Sequence, residues 1–425
     1  MLAVAAVIAL VMAACTSTST QDGGSPDAAG SAGPSEAPAA AGSPSETTSP
    51  APIEDYPDAI TRRLHRMATE PRPVDNSAMP PRHLDEEQFP TSLVERTRIV
   101  SGGVPPDGIP PLDDPAFEPV GEVDWLTPDE AVLALELDGL ARAYPVRVMV
   151  WHEVVNHDLA GIPVTVTYCP LCNSALAYDR RTEFGTLDFG TSGALYRSAL
   201  VMYDRQTESL WTQFDGRAVI GTLAGAELDR LPVATVPWDE FRRAHPDGQV
   251  LSLETGHQRD YGRNPYVGYE TIEAPLTGFF TGDPDPRLPP MERVVGLDSG
   301  GDAAAVHTGH LRDEGVVDLE LDGRPVTVWL ATGMSSPLDD RAVDGGVDVG
   351  ATGAFFTDGP DDPASFTGQG DVFVDTETGS TWNLLGKAVD GPLAGHRLEP
   401  ALHLDTFWFA WSSHLPDTRL VAGPS

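Results

Sequence analysis

Two thiols two residues apart, Cys169 and Cys172 in "VTVTYCPLCNSALAYDR", can bind a metal, shuttle electrons or close a small bridge. The residues after Cys172 alternate as a strand does, which does not match a thioredoxin-like site, whose second cysteine lies in a helix. A Cys-Pro-x-Cys turn between two strands resembles a metal knuckle, with backbone amides aimed at the sulfurs. Asn173 suits the left-handed conformation such a turn needs. Two thiolates make half of a tetrahedral site. His152, just upstream in "WHEVVNHD", is the first candidate to complete it, ahead of Glu153, His157 and Met202. Soft ligands of this kind select copper, as Cu(I), or zinc. "HEVVN" places Asn156 where a zinc protease has its second histidine, which excludes that chemistry. The same thiols also fit a redox pair in an oxidising compartment. A short disulfide staple would constrain the unfolded chain little. A ligand-binding module with incidental thiols remains a third reading.

A second group of side chains could line a pocket beside the thiols: Glu153, Asn156, Tyr196, Arg197, Tyr203 and Arg205. A solvated strand edge accounts for several of them equally well. Ser192 lacks the surroundings of a nucleophile elbow. "RDYGRNPYVGYE", Arg259 to Glu270, either covers a cleft or packs as a connecting segment.

The elements that position these residues come in two sets. "AGIPVTV" returns as "DGRPVTV" 162 residues later, "YDRQTESLW" as "VDTETGSTW", and "LAGAEL" as "LAGHRL". We therefore expect two pseudo-symmetric tandem repeats, residues 128–252 and 291–421, joined by a linker over 253–290. Short runs of Val, Leu, Thr and Tyr between Gly, Asp and Pro predict strands and hairpins. "PWDEFRRAHPD" and "FWFAWSSHLPD" predict a short helix closing each repeat. "PVRVMVWHEVVNHDL" reads both ways, since Pro145 can open a helix while its valines favour a strand. The fold class is mainly β with a few short helices (α+β).

The duplication also supplies an internal control. Asp204, Thr207, Ser209 and Trp211 match Asp375, Thr378, Ser380 and Trp382, so that element reads as a hairpin turn followed by a core tryptophan. Tyr203 and Arg205 face Val374 and Thr376. Cys169, Cys172 and His152 face Ala331, Met334 and Glu314. The thiols are thus not required by the fold, and the first half is the functional one.

The start of the chain is apolar and ends at Cys15, which reads as a lipoprotein signal peptide over 1–15 with Cys15 as the lipidation site. Residues 16–55 are almost wholly Ser, Thr, Pro, Ala, Gly and acid, the composition of a disordered tether. An N-terminal extension fills 56–127. The expected setting is extracytoplasmic, held to the cell membrane by a lipid anchor. The net charge of -37 comes from 64 acids against 27 bases, with Lys387 the one lysine. Nucleic acid is excluded as a partner, because phosphate neutralisation needs a basic face.

"DGIPPLDDP", "ARAYPVRVMVWHEVVN", "VTYCPLCNSALAYDR", "SGALYRSALVMYDRQTESLWTQ", "RDYGRNPY" and "PLAGHRLEP" together resemble the exported proteins grouped as domain-of-unknown-function family 3179, from about Glu95 to Val421. The chain departs from that pattern at Asn173 and Arg197. These departures leave the cysteines untouched and weigh against a pocket role for Arg197. The resemblance implies export and no particular activity.

Overall fold

Four hairpins turn on a residue pair in which both φ angles are positive: Asp138–Gly139 (49° and 78°), Ala160–Gly161 (54° and 78°), Arg197–Ser198 (52° and 65°) and Asp322–Gly323 (52° and 77°). Turns of this kind match the right-handed twist of the strands they join. They set the framework of a mainly β structure with four seven-residue α-helices among the described residues. The computed structural model describes residues 92–276 and 278–423. The expected signal, Cys15 and the tether lie outside the described residues. No helix among the described residues is long and apolar enough to cross a membrane.

In the first half, β1 (Ala131–Leu137) and β2 (Leu140–Pro145) lead into α1 (Val146–His152), β3 (Val154–Leu159), β4 (Ile162–Cys169) and β5 (Ser174–Asp179). A four-strand meander follows: β6 (Phe189–Tyr196), β7 (Ala199–Asp204), β8 (Leu210–Thr212) and β9 (Arg217–Ile220). Helix α2 (Trp238–Ala244) comes after it. The second half runs β10 (Arg293–Asp298), β11 (Ala303–His307), α3 (Thr308–Glu314), β12 (Val316–Leu321), β13 (Arg324–Ala331) and β14 (Ala351–Phe356). Its meander is β15 (Phe366–Gln369), β16 (Val372–Asp375), β17 (Thr381–Trp382) and β18 (Ala388–Asp390), and α4 (Trp408–His414) follows. α3, β12 and β13 each lie 162 residues after α1, β3 and β4, while a two-strand pair, Arg181–Thr182 with Gly185–Thr186, occurs between β5 and β6 without a counterpart between β14 and β15.

The sheets pair in the same way in both halves. β3, β4 and β5 lie side by side, with Arg230–Leu231 on the β5 edge, as β12, β13 and β14 do with Glu399–Pro400. The extension before β1 adds a strand to each of the three five-stranded sheets of the first half. Ile99–Ser101 pairs with β6, Leu112–Asp113 with β3, and Phe117–Pro119 with Gln249–Leu251. One large apolar core spans both halves, from Val132 and Val166 to Trp382 and Trp411.

The ambiguous segment after Pro145 is both of the things its residues suggest. It is helical to His152 and a strand from Val154, and Glu153 makes the break at φ 60°. Val146, Val148, Met149, Val150 and His152 are all buried on α1. Tertiary packing of this kind outweighs the modest helix penalty of β-branched residues. The shared Asp-Thr-Ser-Trp element is a turn in both halves, with the Asp, Ser and Trp buried in each and the Thr buried at Thr207 but exposed at Thr378. Asp204 accepts from the Trp211 indole at 2.9 Å and Asp375 from the Trp382 indole at 3.0 Å.

Candidate functional site

β4 and β5 are joined by Cys169-Pro170-Leu171-Cys172-Asn173, and Cys169 pairs across the ladder with Ser174. Asn173 has φ 50°, and its N–H donates to the Pro170 carbonyl at 3.3 Å. Its side chain accepts from the Tyr168 hydroxyl at 3.0 Å. The second half braces the turn: Thr406 Oγ1 and the Phe407 N–H donate to the Cys172 carbonyl at 2.7 and 3.2 Å. Tyr269, from the segment between the halves, donates its hydroxyl to the Leu171 carbonyl at 2.7 Å.

Both thiols are free and buried. Cys172 Sγ lies 3.0 Å from Ser174 Oγ, which bonds on to Gln213 at 3.1 Å. Burial pushes the Cys169 thiol well above its ordinary pKa, and the neighbouring Cys172 thiol adds to the rise. Backbone N–H groups of Cys172 and Leu200 act against it by stabilising a thiolate on Cys169. Cys169 is therefore held as a neutral thiol with donors ready for a charged sulfur.

Glu153 sits next to Cys169. Its N–H donates to Met149 and its carbonyl accepts from Tyr168, both at 2.8 Å, so α1 and β4 fix its backbone. The carboxyl is buried, and burial first, then the charge of a Cys169 thiolate, raises its pKa well above the usual carboxylate range. A hydrogen bond with Tyr266 opposes the rise. Glu153 also lines a cavity of about 80 Å³ whose other walls include Leu171, Leu200, Tyr266, Tyr269 and Phe279. A small apolar pocket with one convergent acid and a perturbed thiol beside it is the form a small-molecule site takes.

Of the six side chains expected to line a pocket, Glu153 is the one that lines this cavity. Asn156 donates to Asp113 at 2.9 Å and to the Phe189 carbonyl at 2.7 Å, tying β3 to its neighbours. Tyr203 donates to Asp107 at 2.6 Å, and Arg205 pairs with Asp113 at 2.6 Å. Tyr196 packs edge-on against His414, and Arg197 occupies the β6–β7 turn at φ 52° with a bond to the His414 carbonyl. Met202 faces Trp211 across β7 and β8. His157 bridges Arg142 at 2.6 Å and Tyr144 at 2.7 Å, and burial lowers its pKa to about 4.

The three-ligand metal set of Cys169, Cys172 and His152 is not assembled. His152 ends α1 with its ring turned to the opposite partners: Nδ1–H donates to the Pro110 carbonyl and Nε2 accepts from the Tyr261 hydroxyl, both at 2.7 Å. Burial lowers its pKa to about 4, the Pro110 contact opposes this, and the charges of His257 and Arg259 add to the fall. With both nitrogens engaged, it has no lone pair for a metal. Among the described residues no group of three or more His, Cys, Asp or Glu side chains is placed to hold an ion.

Tyr261, Tyr266 and Tyr269 all come from "RDYGRNPYVGYE", so this segment covers the first-half site. The signal that singles out Glu153 was present in the sequence. At the 162-residue offset its counterpart is Gly315, which follows α3 at φ 75°. The sequence profile of the family described as "Protein of unknown function (DUF3179)" matches residues 106–418. No curated protein and no solved structure matches the chain.

Proposed function

The chain belongs to the DUF3179 family, and from that premise we propose that its first half carries a buried thiol–carboxyl redox centre. Cys169 and Cys172 are a two-electron dithiol/disulfide couple, and Glu153 exchanges the protons. One observation carries this reading: an ionisable side chain occupies a left-handed helix terminus, beside Cys169, where the second half has Gly315. Such a conformation is costly for any residue but glycine and persists where the side chain has work to do.

The partner of the couple is a small organic disulfide entering the apolar cavity. Cys169, supported by two N–H groups, gives its proton to Glu153 and attacks one sulfur, releasing the first thiolate. Cys172 then attacks the mixed disulfide, closes the Cys169–Cys172 bond and releases the second. Two thiols are oxidised, one disulfide is reduced, and both protons leave on the products.

The test is equilibration of the full chain in thiol/disulfide buffers, followed by alkylation and mass measurement. The expected result is one reversible intramolecular disulfide whose midpoint falls by about 59 mV per pH unit, as for two electrons and two protons. Failure to oxidise reversibly overturns the reading.

A second reading rests on the N–H groups aimed at Cys169 and on the lack of a third donor among the described residues. Two thiolates alone suit two-coordinate Cu(I) better than tetrahedral zinc. Anaerobic titration with Cu(I) and Zn(II) separates them: this reading expects one Cu(I) held and Zn(II) not. The proposal also takes the two halves, 128–252 and 291–421, as a duplication of which the first kept the chemistry. It places the protein outside the cytoplasm, anchored through Cys15, where a dithiol meets oxidising partners.

A further inference from the structure

Cys172 begins a chain of hydrogen bonds whose side chains are all fully buried: Cys172, Ser174, Gln213 and Thr167. Cys172 Sγ lies 3.0 Å from Ser174 Oγ, and Ser174 Oγ lies 3.1 Å from Gln213 Oε1. Gln213 Nε2–H donates to Thr167 Oγ1 at 3.1 Å and to the Ser174 carbonyl at 3.3 Å, and the Thr167 hydroxyl donates to the Leu176 carbonyl at 3.0 Å. The two carbonyls fix the direction of every bond, because a carbonyl only accepts. The Ser174 carbonyl keeps the amide nitrogen on its own side, so Oε1 faces the Ser174 hydroxyl and takes its proton. What Ser174 turns to Cys172 is therefore a lone pair, and the thiol S–H donates to it. The other acceptor near this sulfur, the Cys169 carbonyl, is 3.9 Å away.

The second half closes the same ladder without these groups. Cys169 pairs with Ser174 where Ala331 pairs with Ala351. Trp329 stands two residues before Ala331, as Thr167 does before Cys169, and Leu384 stands two after Trp382, as Gln213 does after Trp211. Ala351, Trp329 and Leu384 are all buried, so the packing of this ladder does not call for a polar chain. We propose that Gln213 is a positioning residue for the thiol pair, acting through Ser174 to hold Cys172 as a hydrogen-bond donor and thereby to favour the reduced pair. This role rests on the redox reading given above. A disulfide leaves Cys172 no proton to donate, so the bond to Ser174 exists only in the dithiol, and its loss weighs against oxidation. The chain also sets the two sulfurs apart, since N–H donors are aimed at Cys169 and an acceptor at Cys172.

Difference infrared spectra of the reduced full chain test the proposal, because the S–H stretch falls in frequency when the thiol donates. The band lost on Cys172→Ser belongs to Cys172, and it is expected below the frequency of a simple thiol in an apolar solvent. Gln213→Leu, which installs the residue found at Leu384, frees the Ser174 proton to turn to the sulfur. The band is then expected to rise to the unbonded frequency, and the disulfide-to-dithiol ratio in a fixed thiol/disulfide buffer to increase by about threefold or more, the effect of one buried hydrogen bond. Gln213→Glu keeps an acceptor for Ser174 and is expected to keep the low band. Ser174→Ala removes the acceptor itself and should give the same rise and the same shift in ratio, so the test does not depend on Gln213→Leu folding. A wild-type Cys172 band at the unbonded frequency, or a band and ratio that neither variant moves, would overturn the role of Gln213. A low band in a chain that does not oxidise reversibly would instead remove the redox reading, and the role with it, while leaving the hydrogen bond in place.

Discussion

Glu153 and Gly315 hold the same backbone place in two helix-to-strand turns: each follows a seven-residue helix by one position, and their φ angles are 60° and 75°. Each passes its N–H back to the helix, to Met149 and to Leu311, at 2.8 Å. The turn asks for glycine, and one half supplies it. The other half instead places a carboxyl beside Cys169. The contrast separates what the backbone needs from what the site needs.

Glu153→Gly should therefore cost little in folding. Relief of the left-handed strain and of the buried carboxyl offsets the greater freedom of glycine in the unfolded chain, leaving stability within about 1 kcal/mol of wild type or above it. Urea unfolding measures this. The same variant should lose the pH dependence of Cys169 oxidation that a nearby proton acceptor imposes. A loss of several kcal/mol would mean that the side chain is structural.

The pH dependence of stability has a definite sign at this residue. The folded carboxyl titrates above its unfolded value of 4.5, so the fold binds the proton more tightly than the unfolded chain does. Its contribution is fully present below pH 4.5 and is lost as pH rises toward the folded value. Glu153→Gln cannot titrate. Its stability relative to wild type should be constant below pH 4.5 and should rise steadily above it, as read from urea midpoints taken across that range.

Much of this was legible in the sequence, because local rules and tertiary structure agree there. The Asp-Gly hairpins, the helices that follow each meander and the left-handed Asn173 all follow from residue type. The site was legible only in part. His152 has the right chemistry at the right distance along the chain, but a helix turns its ring to Pro110 and Tyr261. The direction of one side chain at a helix end depends on what packs there, and spacing does not report it. Tyr196 and Arg197 were misplaced for a similar reason: the β6–β7 turn carries them to His414, which is distant in sequence. The covering tyrosines were visible as a segment, though not as partners of Glu153 and Leu171.

Trp211 and Trp382 test the correspondence of the halves. Each is fully buried and each gives its indole N–H to the aspartate seven residues before it. Replacing either by Ala should cost about 3–5 kcal/mol, since a large cavity is left and the buried aspartate loses one of its donors while keeping those of the turn. Chemical denaturation of the two variants should give similar losses. A harmless substitution on one side alone would break the correspondence.

The thiols differ from the tryptophans in this respect. β13 ends at Ala331 where β4 ends at Cys169, and Met334 stands 162 residues after Cys172; both are buried, so this architecture closes without sulfur pairs. Cys169→Ser with Cys172→Ser should accordingly fold, with a loss of about 1–3 kcal/mol for placing hydroxyls in an apolar setting. It should abolish both reversible two-electron oxidation and Cu(I) binding. The single variants then divide the two readings. Cys172→Ser leaves Cys169 able to form a mixed disulfide but not to resolve it, so a stable adduct with a small disulfide should accumulate. Cys169→Ser should form that adduct far more slowly, because the two N–H groups and Glu153 serve the other sulfur. Equal adduct rates in the two single variants would remove the assigned order of attack, and Cu(I) retained by the double variant would remove the thiols from metal binding altogether.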